Sequence, residues 1–125
     1  MSKRLTVISL IIVLLGTITY VYAEKATELY VPIGQSPGLS GKYLATGRIE
    51  QVNSLNQTIT MLDASRTYTI KVTERTMYFL DRSKMQQSNL YGTWADCKKG
   101  MLVEVRFEND ERGQLAEWIK FQIGP

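Results

Sequence analysis

The sequence predicts an all-β fold: a small antiparallel barrel of five or six strands with one short helical turn. An N-terminal signal or anchor helix and an extended arm precede it. Three observations carry this prediction. The chain has 125 residues, enough for one ordinary domain. Its second half is a series of short segments with apolar residues at every second position. The connections between them are short and rich in turn-forming residues, which favours antiparallel pairing.

The first 23 residues stand apart. Ser2-Lys3-Arg4 is a positive flank, residues 5–15 (LTVISLIIVLL) are almost unbroken apolar sequence, and Val21-Tyr22-Ala23 offers modest or small residues before Glu24. That order is the pattern of an export signal. The alternative is a retained anchor, because residues 5–22 reach the lower limit of about 17 residues needed to span a bilayer. Cleavage before Glu24 is the favoured reading. Lys3 and Arg4 also account for two of the 15 basic residues, leaving 13 against 12 acidic ones. A surplus of +1 is too small to attract phosphate by charge alone.

Residues 24–41 form the expected arm. Pro32, Gly34, Pro37, Gly38 and Gly41 interrupt any periodicity, so helix is not expected. Tyr30, Val31, Ile33 and Leu39 are its apolar contacts. It reads equally as a tether that keeps the domain clear of the membrane and as a strip that docks on a partner.

The barrel domain follows over residues 42–125. Residues 43–52 (YLATGRIEQV) form a long first strand, with a bulge or bend expected at Gly47. Residues 53–56 (NSLN) turn the chain into 58–62 (TITML), where Ile59 and Met61 share a face. In residues 66–72 (RTYTIKV), Tyr68, Ile70 and Val72 face one way and the threonines the other, as in a half-buried strand. Residues 77–80 are a further short strand, and 81–89 (DRSKMQQSN) a polar loop or short helix. Thr93 is a candidate N-cap with Asp96 three residues on, and Gly100 ends that helical turn. Two strands close the chain. In one, Val103, Val105 and Phe107 oppose Glu104 and Arg106. In the other, Ile119, Phe121 and Ile123 oppose Trp118, Lys120 and Gln122. A single open sheet this small would leave apolar faces and edges exposed, so closure into a barrel is expected.

Several short pieces fit one family. They are Thr46-Gly47-Arg48-Ile49, the alternating hairpin 58–72, Val72-Thr73-Glu74-Arg75-Thr76, residues 94–105 (WADCKKGMLVEV) and Ala116-Glu117-Trp118-Ile119-Lys120. Together they resemble a family of small exported bacterial OB-like β-barrel domains of unknown function. That pattern has a G-x-I opening strand, a V-T-x-x-T step, an A-D-L-x-x-G-x-x-V-x-V segment and a final A-x-x-I strand. Cys97 replaces the usual leucine. The resemblance spans roughly residues 42–123. It implies a fold and an exported setting, and no catalytic residues come with it.

The residue inventory excludes more chemistry than it suggests. The chain has no histidine, which removes the usual neutral-pH general base and the commonest transition-metal ligand. Phosphate-loop, dinucleotide and haem-attachment motifs are missing from the sequence. Cys97 stands alone, so it is either buried or used between chains, and burial beside Ala95 and Met101 is the favoured reading. Glu108, Asp110 and Glu111 read as a solvated hairpin tip, and Asp81 and Asp96 as turn and cap residues. The expected catalytic, metal and cofactor sites are therefore none, and the protein is expected not to be an enzyme.

Binding is the remaining class. The first expectation is an accessory or assembly module of a membrane-associated complex in the bacterial envelope, with the arm as tether or docking strip. A protein partner is expected there, and the membrane itself if the N-terminal segment is retained. The second is a soluble periplasmic domain holding a small polar or anionic ligand on its strand face near Arg48, Arg66, Arg106 and Trp118. The competing structural reading has Trp118 packing on the arm and the arginines pairing with Glu50, Glu104 and Glu117. Export and the small charge surplus argue against nucleic acid.

Overall fold

The computed structural model describes residues 27–35, 44–108 and 114–124. The signal or anchor segment, Leu39, and the hairpin tip with Asp110 and Glu111 lie outside the described residues. Among the described residues there are seven strands: β1 (Leu44–Asn53), β2 (Thr58–Leu62), β3 (Thr67–Lys71), β4 (Met77–Asp81), β5 (Leu90–Tyr91), β6 (Leu102–Phe107) and β7 (Ala116–Gln122). They form one sheet in the order β3-β2-β1-β6-β7-β4-β5.

The two sides of that sheet meet through β7. Lys71, the last residue of β3, makes a parallel bridge with Leu115, its N–H donating to the Gln114 carbonyl at 2.8 Å. After a short excursion, β4 resumes the same parallel pairing, Met77–Asp81 against Trp118–Gln122. β3 and β4 therefore act as one interrupted strand that closes an OB-like barrel. The interruption is the Thr73–Thr76 step. Thr76 is buried; its hydroxyl donates to the Ala116 carbonyl at 2.8 Å and accepts the Thr73 N–H at 3.0 Å.

Closure corrects two details of the expected fold. The barrel is not wholly antiparallel, because the β3/β4 strand must run alongside β7 to complete the circuit. The strand number rises to seven because β4 is a separate segment and the two-residue β5 pairs with it. The helical turn falls where expected, as a 3₁₀ turn over Trp94–Asp96 with the Thr93–Asp96 capping box formed. Two further 3₁₀ turns, Thr27–Tyr30 and Ser83–Met85, precede it in the described chain.

The alternating positions make the interior. Ile49, Ile59, Met61, Ile70, Val103, Val105, Ile119 and Phe121 are almost completely buried in one cluster. Cys97 joins its edge, as the sequence suggests. The β2–β3 turn is held by Asp63, whose carboxylate accepts the N–H groups of Ser65 at 2.7 Å and Arg66 at 2.8 Å. Those two backbone bonds lower its pKa to about 2.

The β1 bulge does not fall at Gly47 as expected. The register slips between Ile49 and Gln51, leaving Glu50 as the extra residue. Gly47 serves a different end: a Cβ there would lie 2.3 Å from the Leu62 carbonyl oxygen and 2.9 Å from the Met61 side chain. Backbone approaches backbone too closely for any side chain.

Gly47→Ala should therefore destabilise the barrel by about 1–3 kcal/mol, read as a lower urea midpoint without a change in slope. Burial also pushes the Cys97 thiol up to about 12 from 9.0, and burial followed by the nearby Cys97 raises the Tyr78 hydroxyl. Both groups stay protonated when folded and ionise more easily when unfolded. Stability should accordingly fall as pH rises from about 9 toward 12, and Cys97→Ala should shallow that fall in a urea series across pH.

Candidate functional site

On the outer face of β6, β7 and β4 the alternating pattern would place polar residues in water. Instead, Glu104, Lys120 and Asp81 are fully buried. The arm covers them. Its 3₁₀ turn packs against β4, and residues 31–35 continue across the neighbouring strands.

The grip is almost entirely on the arm's main chain. Lys120 Nζ donates to the Val31 carbonyl at 2.7 Å and to the Glu28 carboxylate at 2.7 Å. Asn89 Nδ2 donates to the carbonyls of Glu28 at 3.1 Å and Val31 at 3.0 Å, while its own N–H donates to the Leu29 carbonyl at 3.0 Å. Asp81 accepts the Ile33 N–H at 2.8 Å, and Glu104 accepts the Gly34 N–H at 2.7 Å. Gly34 is left-handed, with φ +84°, which lets successive N–H groups reach carboxylates on the two strands flanking β7.

Each buried charge is thus met by an opposite charge or by oriented dipoles, as burial requires. Asp81 also accepts the Ser83 N–H at 2.8 Å. Glu104 also accepts the Thr46 hydroxyl at 3.5 Å. The Lys120 ammonium lies 4.9 Å from the Trp118 ring centre. Trp118 in turn meets Phe79 edge-to-face at 6.1 Å.

The residues expected to bind are distributed as follows. Tyr30 is 77% exposed. Val31 and Ile33 are half-buried against the chain's own barrel. Trp118 does lie opposite Ile119 and Phe121, but it is 2% exposed: the arm turns its expected wet face into a second, smaller core. Trp118 therefore cannot stack on a ligand at the surface. Arg48 donates to the Gly100 carbonyl at 3.1 Å, Arg66 lies 4.1 Å above the Tyr68 ring, and Arg106 pairs with Glu117 at 2.8 Å. Arg48 is in register with Leu102, so Arg106 sits four residues away, about 13 Å along β6. The three arginines do not converge. Asp96 caps its own turn, and Asp81 holds the arm, so the two carboxylates have separate roles.

The sequence reading missed Glu28, Asp81, Asn89, Glu104 and Lys120. One available signal was Lys120 between Trp118-Ile119 and Phe121, an apolar context poor in solvated neighbours. The other was an apolar arm with no assigned surface to cover.

No protein-family model matches the chain, and no curated protein matches it. Among solved structures, the crystal structure of Ag(I)CusF is similar. Its TM-score is 0.43 and its identity 19%, over 62% of this chain and 93% of that one. A likeness that slight carries no functional argument. Among the described residues no group of three His, Cys, Asp or Glu side chains could hold a metal ion. No described helix is long and apolar enough to cross a membrane.

Lys120→Met should release the arm while the barrel stays folded, because the arm can carry Glu28 back to water. Exchange protection at the Ile33 and Gly34 amides should fall at least a hundredfold, equivalent to about 3 kcal/mol, while Ile119 and Phe121 keep theirs. Equal loss at all four amides would contradict a locally docked arm.

Proposed function

We propose that this chain is a non-enzymatic protein exported to the bacterial envelope, where its barrel is an accessory or assembly module of a membrane-associated complex. The observation that carries this reading is the clamp on residues 28–34. A simple spacer has no use for three buried charges and an asparagine holding its main chain. The clamp fixes residues 28–34 against the barrel through Lys120, Asp81, Asn89 and Glu104.

The contact surface for a partner lies beside the clamp. Asn89 joins the arm to the start of β5, so the exposed rings of Tyr30 and Tyr91 and the exposed Leu90 flank that junction. β5 is also the edge strand of the sheet, the position at which an added strand or a partner's side chains can dock.

For a ligand on the strand face, Trp118 is buried and offers no stacking surface, and Arg48, Arg66 and Arg106 make separate contacts within the chain. A small polar ligand remains a second reading only where the surface offers a cleft, and one such cleft borders the arm.

A photo-cross-linking residue at Tyr30 or Tyr91, in the full-length chain at native level, should yield a discrete protein adduct from the envelope fraction. Leu55, 93% exposed in the β1–β2 turn, is the control and should yield none. If Tyr30, Tyr91 and Leu55 behave alike, the assembly role is wrong.

A further inference from the structure

We propose that the cleft between the arm and the loop after β4 binds a neutral saccharide. This goes beyond the assembly role and does not depend on it. The cleft has a volume of about 310 Å³, at the lower end of the range for small-ligand sites and suited to one or two sugar rings. Its arm wall presents Tyr30 and Pro32, and its loop wall presents Ser83, Gln86, Gln87 and Ser88.

The chemistry of those walls selects the ligand class. None of the lining side chains carries a charge, so the walls offer a charged ligand no direct ion pair. The loop wall offers hydroxyl and amide groups, which can donate and accept at once. A sugar's hydroxyls have the same dual character. Gln86 and Gln87 are exposed, and their side-chain amides make no hydrogen bond to another described residue. The opposite wall offers an aromatic ring and a proline ring, apolar groups of the kind on which the C–H face of a pyranose packs. Tyr30 is 77% exposed, although an aromatic side chain of that size ordinarily gains by burial.

Both walls are held in place before any ligand arrives. Arg82 Nε donates to the Ser88 carbonyl at 2.7 Å, and the Arg82 N–H reaches Asn89 Oδ1 at 3.4 Å. The Gln86 N–H closes on the Ser83 carbonyl at 3.0 Å, with Gln86 itself left-handed at φ 57°. Asn89 then fastens this loop to the arm through the carbonyls of Glu28 and Val31. One side chain therefore sets the spacing of the two walls. The backbone of both walls is thus fixed before a ligand arrives, which leaves only the exposed side chains to be ordered on binding.

The test is an amide chemical-shift titration of the full-length ¹⁵N-labelled chain with chitotriose, cellotriose and mannotriose, each against a heparin disaccharide. At least one neutral trisaccharide should give saturable shifts at Tyr30 and at residues 86–89. Tyr30→Ala and Gln87→Ala should each weaken that binding about tenfold; both side chains are exposed, so neither change threatens the fold. Leu55→Ala should leave it unchanged. The proposal fails if no neutral trisaccharide gives saturable shifts there, if heparin binds this cleft as well or better, or if Tyr30→Ala and Gln87→Ala bind as the parent does.

Discussion

A buried ammonium governs this structure. Lys120 is fully buried, and removing a lysine charge from water costs several kcal/mol unless its surroundings replace the lost hydration. Here the replacement comes from the arm: the Glu28 carboxylate and the Val31 carbonyl, with the Trp118 ring alongside. The barrel supplies the charge and the arm supplies its solvation. Asp81 and Glu104 repeat the arrangement with opposite sign, as each accepts an N–H from the arm. The outer face of three strands is thereby turned into an interior that also shelters Trp118 and Phe79.

The barrel topology explains where that interior forms. β6, β7 and β4 are consecutive in the sheet, and Glu104 is directly opposite Lys120 in the β6–β7 register. Asp81 ends β4, opposite Gln122 on the far side of β7. The three charges thus span adjacent strands spaced about 4.8 Å apart, which a short peptide crossing the strands can reach together. Parallel pairing of β4 with β7 is what brings Asp81 to this row. The Thr73–Thr76 step makes that pairing possible by carrying the chain from β3 to β4 without leaving the side of β7.

Much of this barrel is legible in the sequence because period-two alternation reports which residues face the interior. Ile59 and Met61, Val103 and Val105, Ile119 and Phe121 all point where the pattern puts them. The capped turn at Thr93 is legible for a similar reason, since a cap is local chemistry. Alternation cannot say whether the opposite face meets water or another part of the chain. Trp118, Lys120 and Glu104 read as a solvated face, and a segment about 90 residues earlier in sequence decides otherwise. The bulge misplaced at Gly47 has the same origin. A strand glycine marks either an extra residue or a close approach, and only the position of Leu62 on the next strand distinguishes them.

The proposed binding roles sit at the edge of the clamp, where the chain's exposed aromatic and amide groups gather. The arginines that looked available are occupied by a carbonyl, a ring and a carboxylate. The margin of the arm exposes Tyr30, Leu90 and Tyr91 and the side-chain amides of Gln86 and Gln87. This margin borrows its rigidity from Asn89, whose side chain is committed to the arm on one side and to the Arg82 amide on the other. Fixed walls with unsatisfied polar and aromatic groups along them are what recognition needs. The buried lysine, bound to Glu28 and Val31, is what holds one of those walls in position.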